Sequence, residues 1–187
     1  AKRFARGGYI ACMTRRNAEK LQPLIAEIEA EGGLAYGFAS DARKEEQVIA
    51  LVEEIEANIG EIDVLVFNIG ANVLCSILEE TARKYFKIWE MACFGAFLTG
   101  REVAKRMVVR EHGSIIFTGA TAGIRGAANF AAFAGAKHAL RALAQSMARE
   151  LGPKNIHVAH VVVDGAIDTD FIKDTFPEMY ARKEQDG

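Results

Sequence analysis

Short apolar runs alternate along the chain with longer segments of helical periodicity. Runs rich in Val, Ile, Leu and Phe predict five strands at Tyr9 to Thr14, Leu34 to Ala39, Ile62 to Asn68, Ser114 to Thr118 and Ile156 to Val163. Their apolar content is nearly continuous rather than alternating, as expected of strands buried on both faces of a parallel sheet. Helical periodicity spans Ala18 to Ala30, Lys44 to Ile59, Arg83 to Val109 and Asn129 to Leu151. The last of these ends at Gly152-Pro153, a C-cap glycine before a residue that cannot continue a helix. The order predicts an α/β fold, a doubly wound parallel sheet with helices on both faces. Right-handed crossovers bring the carboxyl ends of all the strands to one edge, where such sheets bind ligands. The residues to weigh are therefore Arg15, Arg16, Asp41, Asn68, Gly70, Ala120 and the stretch Asp164 to Thr169.

Composition narrows the picture. The 187 residues, half of them hydrophobic, suit one domain spanning 1–187. A formal charge of -2 gives no basic surplus for a phosphate backbone, which argues against nucleic acid as partner. Cys12, Cys75 and Cys93 lie in or beside apolar segments at spacings that fit neither a disulfide framework nor a zinc site. They read as buried thiols of a reducing compartment. No apolar stretch is long enough to cross a membrane and no signal peptide opens the chain, so a cytoplasmic location is expected. The pattern also starts and stops mid-fold. Ala1 to Arg6 reads as the last turns of a helix closed by Gly7-Gly8, and the segment from Phe171 to Gly187 is followed by no apolar strand. The expectation is a domain incomplete at both ends.

Two motifs carry a family resemblance. Phe67-Asn68-Ile69-Gly70 follows the third strand, and Phe133-Ala134-Gly135-Ala136-Lys137 lies on a helix thirteen residues after Ala120. With Ala122-Gly123, Gly113-Ser114-Ile115-Ile116 and Arg149-Glu150-Leu151, they resemble the classical short-chain dehydrogenase/reductase family, whose Asn-Asn-Ala-Gly and Ser…Tyr-x-x-x-Lys patterns share this spacing. The resemblance runs to about Thr169 and implies a Rossmann-like NAD(P)-binding fold and oxidoreduction of a small carbonyl or alcohol substrate. In the family the lysine, one helical turn from the tyrosine, lowers the phenol pKa so that the phenol transfers a proton as hydride moves. Here Lys137 is kept, but Phe133 stands at the tyrosine position, Ala120 at the serine position and Ala92 at the asparagine position. None of the three can donate or accept a proton.

The resemblance also distributes the cofactor contacts. Arg16, with Arg15 beside it, stands where an acidic residue would bind the ribose 2′-hydroxyl of NAD. An arginine there suits the 2′-phosphate of NADP, although two solvated arginines in a β-α turn are the plain alternative. Asp41 would contact adenine, or cap the Lys44 helix. Asn68 and Gly70 would lie under the ribose, and Lys137 would bond the nicotinamide ribose. In Asp164-Gly165-Ala166-Ile167-Asp168-Thr169, an aspartate replaces the proline of the family's Pro-Gly turn; Ile167 would offer backbone groups to the carboxamide and Thr169 a hydroxyl near the pyrophosphate. The family's glycine-rich phosphate loop and first strand would lie upstream of Ala1, leaving the sheet without its central member between the Tyr9 and Ile62 strands.

Other residues read blandly. His157 and His160, three apart on a strand, point to opposite faces and make a poor metal site. His138 faces away from Lys137. Tyr180, in the segment that covers the substrate in this family, is the best remaining phenol. The resemblance implies homodimers or homotetramers paired through the Arg83 and Asn129 helices. Two functions stay open: an NADP-linked oxidoreductase using another proton donor, and a dinucleotide-binding pseudoenzyme.

Overall fold

The computed structural model describes residues 1–70, 73–165, Ile167 and Asp174. A one-turn helix α1 (Lys2–Ala5) leads into strand β1 (Ala11–Arg15). Gly8, with φ +88°, takes the left-handed conformation that ends the helix, and the Tyr9 amide donates back to the Phe4 carbonyl at 3.1 Å. A 3-10 turn (Ala18–Leu21), capped by the Asn17 side chain, precedes α2 (Gln22–Ala30); β2 (Ala35–Ala39) and α3 (Glu45–Asn58) follow. Then come β3 (Val64–Phe67), α4 (Ala82–Trp89), a π-helical segment (Glu90–Phe94), α5 (Gly95–Arg110), β4 (Gly113–Ala120), α6 (Ala131–Leu151) and β5 (Ile156–Val163).

Among the described residues all pairings are parallel, but the strands form two sheets. β1 pairs with β2, from Ala11 opposite Ala35 to Arg15 opposite Ala39. β3, β4 and β5 form the second sheet in that order, with Val64 opposite Ser114 and Ala120 opposite Val163. β1 and β3 do not bond to each other. They line opposite walls of a cavity of about 950 Å³, bounded also by Val48, Val52 and Ile55 of α3 and Val103 of α5. The sheet is thus interrupted between β1 and β3.

The larger core belongs to the three-stranded sheet. Ile115 and Phe117 of β4, Met107 of α5, Leu140 of α6 and Ile156 of β5 are fully buried together, with Val52 of α3 beside them. A smaller cluster joins Ala11 and Ala35 of the two-stranded sheet to Leu21, Ile25 and Ile28. Helices α2 and α3 therefore serve separate cores, as the two faces of a doubly wound sheet require. β4 can begin as it does only with glycine: Gly113 has φ +147°, and a Cβ there would meet the Met107 sulfur at 2.4 Å.

β3 spans Val64–Phe67 rather than Ile62 to Asn68, and four further expectations need correction. β1 starts two residues later than the apolar run, because Tyr9 and Ile10 are exposed and unpaired with β2. β4 extends to Ala120, two residues beyond the apolar run, because its register with β5 continues to Val163. The segment from Arg83 to Val109 is not one α-helix, since five residues in its middle are π-helical. Gly152 is not the left-handed residue after α6: it is right-handed, and Asn155 turns the chain at φ +61°. The Asn155 amide nitrogen donates to the Glu111 carbonyl at 2.7 Å, tying the end of α5 to the start of β5.

Candidate active site

Residues at the carboxyl ends of β3 and β4 meet α6 around Lys137. α6 carries Phe133 and Lys137 one turn apart on one face, because residues i and i+4 of a helix align. Lys137 is 5% exposed, and its Nζ donates to the Thr118 carbonyl of β4 at 2.7 Å. The Phe133 ring lies 5.9 Å from that ammonium and is half-buried. Burial pushes the Lys137 pKa below its ordinary value. From β3, Gly70 comes alongside: a Cβ built on it would stand 3.4 Å from Lys137 Nζ. Gly123, in the turn after β4, packs on the Lys137 backbone: a Cβ built on it would stand 3.0 Å from the Lys137 carbonyl oxygen. Asn68, exposed at the end of β3, borders the cavity together with Thr14 and Ser40.

Ala120 ends β4 half-buried, and the next residue, Thr121, donates its hydroxyl to the Asp164 carboxylate just past β5. Ala92 is wholly buried in an apolar seat with Ile88, Ala132 and Ala136, inside the π-helical segment. Gly165 takes φ +131° and Ile167 is exposed. Thr169 and Tyr180 lie outside the described residues.

At the far side of the edge, Arg15 and Arg16 are exposed at the tip of β1. Asp41 does not cap the following helix. α3 starts at Glu45 with Lys44 at its cap and no side-chain cap bond. Asp41 instead grips Arg43, accepting from its backbone amide at 3.1 Å, from Nε at 2.9 Å and from Nη2 at 2.5 Å. This pairing outweighs the desolvation of the carboxyl and lowers its pKa to about 2, with Arg16 adding to the same field. Arg43 also reaches Glu90 at 3.4 Å, linking the loop after β2 to the π-helical segment.

Sequence reasoning passed over Arg43, the Thr121–Asp164 pair and the position of His160. The His160 imidazole fills the space that a side chain at Gly119 would need, with Cε1 and Nε2 at 2.2 and 2.3 Å from an ideal Cβ. Its Nε2 is buried without a partner, and desolvation followed by the fields of Arg141 and Lys137 lowers its pKa. The available signal was Gly119 itself, since glycine inside a strand marks close approach. His138 is exposed, with Nδ1 2.9 Å from the Ala134 carbonyl, and turns away from Lys137 as expected. The three cysteines are free, and burial pushes the Cys12 and Cys93 thiols up. Among the described residues no group of three His, Cys, Asp or Glu side chains converges, and no described helix is long and apolar enough to cross a membrane.

Comparison with known proteins identifies the family. The short chain dehydrogenase family model matches residues 1–179. A 2-dehydro-3-deoxy-D-gluconate 5-dehydrogenase from Formosa agariphila is 31% identical over 184 residues, which cover 91% of this chain and 70% of that protein. The crystal structure of a short-chain dehydrogenase from Rhodopseudomonas palustris is 49% identical, with TM-score 0.84 over 96% of this chain and 84% of that one. The NAD+-bound structure of a xylitol dehydrogenase gives 26% identity and TM-score 0.84 over 91% and 66% of the respective chains. The chain belongs to the short-chain dehydrogenase/reductase family, an oxidoreductase family with a Rossmann-like fold that binds NAD(P) dinucleotides.

Proposed function

We propose that the chain is a single dinucleotide-binding domain of an NADP-linked oxidoreductase that interconverts a small carbonyl compound and its alcohol. The observation that carries this reading is the convergence of Lys137, Gly70 and the Thr118 carbonyl at the carboxyl edge of β3 and β4. An ammonium has three donors, and Lys137 gives one to Thr118, leaving the others for ribose hydroxyls. Gly70 leaves the approach to that ammonium open, since a Cβ there would already be in van der Waals contact with Nζ. Asp41, held ionised by Arg43, offers its remaining lone pairs to the adenine amino group. Arg15 and Arg16 suit a 2′-phosphate, which favours NADP over NAD. Asn68, Gly165 and Ile167 complete the path, together with Thr169. A bound nicotinamide supplies the hydride chemistry; the protein's part is to bind, orient and manage a proton. Phe133 keeps an aromatic wall beside Lys137 but cannot manage that proton.

The stacked aromatic row Trp89, Phe94 and Phe97, with Phe86 exposed at its end, supports pairing of α4 and α5 with a second copy. We place the protein in the cytoplasm as a homo-oligomer.

A second reading, a pseudoenzyme that binds dinucleotide without turnover, draws on Ala92. Its fully buried apolar seat leaves no polar group to hold a relay water. Measuring NADPH binding and aldehyde or ketone reduction in the full-length protein and in its A120S/F133Y variant separates the two. Turnover in the natural protein supports the oxidoreductase. NADPH binding with turnover only after reversion supports the pseudoenzyme.

A further inference from the structure

We propose that Thr121, held by Asp164, supplies the hydroxyl that touches the substrate oxygen in place of the side chains missing at Ala120 and Phe133. The proposal rests on the oxidoreductase reading above.

Thr121 is the residue after Ala120, and Asp164 follows Val163, the residue opposite Ala120 in the β4–β5 register. The hydrogen bond from Thr121 Oγ1 to Asp164 Oδ1 therefore bridges the carboxyl ends of two neighbouring strands at the candidate site. Thr121 opens the turn whose Gly123 rests on the Lys137 backbone, and it lies three residues past the carbonyl that holds Lys137 Nζ. Asp164 is exposed and Thr121 half-buried, so the pair is open to a small ligand. His160 Nε2 is buried against Gly119, and Lys137 is buried on Thr118.

A hydroxyl that donates to a carboxylate has its own lone pairs turned outward and made more basic. In the oxidation direction, the proton of the substrate alcohol passes to Thr121 Oγ1 as the threonine proton passes to Asp164. One proton thus moves from substrate to carboxylate. The C–H bond of the alcohol breaks, and its electron pair leaves with the hydrogen as a hydride to an oxidised nicotinamide dinucleotide. The products are a carbonyl compound, reduced dinucleotide and a protonated Asp164, which returns its proton to solvent. Thr121 touches the substrate; Asp164 acts through it.

The test compares T121V, T121S and D164N with the natural full-length protein, by alcohol oxidation, by fluorescence titration of NADPH and by NMR of carbon-13-labelled aspartate carboxyls. Turnover is expected to fall about 10²–10⁴-fold in T121V, as for loss of a positioned proton-transfer group, with NADPH affinity unchanged and T121S retaining turnover. D164N keeps an oxygen that can accept from Thr121 but cannot take its proton, so it too should lose turnover. The Asp164 carboxyl resonance should move in T121V. Natural turnover in T121V or D164N, an unmoved Asp164 resonance, or lost NADPH affinity in T121V would each overturn the proposal while leaving the oxidoreductase reading intact. A natural protein that binds NADPH but turns over only as A120S/F133Y would overturn both.

Discussion

The two sheets of this molecule are unequal. β3, β4 and β5 share a core in which Phe117, Ile115, Met107, Leu140 and Ile156 are fully buried, and this half carries Lys137, Phe133 and Ala120. β1 and β2 rest on a cluster of five small and medium side chains, and this half carries Arg15, Arg16 and Asp41. Between them β1 and β3 face each other across a cavity without bonding. Hydrophobic stabilisation scales with the apolar area removed from water. The three-stranded half is therefore the more stable one, and the two-stranded half opens more easily.

The largest effect should come from the shared core. Phe117→Ala removes a ring that contacts Phe67 and lies against Gly100, at a cost of about 3–5 kcal/mol, and should abolish the cooperative melt of the whole chain. Ile28→Ala removes a comparably buried side chain, at about 2–5 kcal/mol, but from the small cluster. Hydrogen exchange should then show β1 and β2 exposed while β4 and β5 stay protected. Equal loss of protection in both sheets would show one cooperative unit and break the comparison.

A smaller effect concerns Asp41. Its folded pKa of about 2 lies below the ordinary carboxylate value, so its contribution is present above about pH 4 and is lost as pH falls toward 2. The side chain is 18% exposed, and the shift corresponds to about 2 kcal/mol. Denaturant titrations of the natural protein and of Arg43→Met should differ by about that amount at neutral pH and converge at acid pH. A constant difference across that range would mean that Arg43 contributes through packing alone. Smaller still, Arg16→Glu should shift cofactor preference from NADPH toward NADH by roughly 10-fold, about 1.4 kcal/mol, with little change in melting temperature. An unchanged NADPH-to-NADH affinity ratio would assign Arg16 to solvent.

Much of this was legible because strands buried in a parallel sheet write their presence as apolar runs. All five described strands fall where those runs lie, and the spacing of Ala120, Phe133 and Lys137 puts strand end and helix face together. What was not legible depends on contacts distant in sequence or on local geometry without an apolar signature. The π-helical segment at Glu90–Phe94 adds hydrogen-bond slippage, not a change in composition. A cap role for Asp41, the alternative to an adenine contact, is suggested by how often aspartate precedes a helix, whereas the fork of Arg43 two residues on offers it charge-assisted bonds that outweigh that role. The Thr121–Asp164 and His160–Gly119 contacts join β4 to β5 across some forty residues, and only the strand register brings them together.

The most direct test of the site is calorimetric titration of NADPH into the natural full-length protein and into Lys137→Met, with thermal melts of both. Burial lowers the Lys137 pKa because the charged form is poorly accommodated, so methionine should leave the melting temperature unchanged or raise it while NADPH affinity falls at least about 10-fold. Undiminished NADPH affinity in Lys137→Met would contradict the account, since the residue at the centre of the candidate site would then hold no part of the dinucleotide.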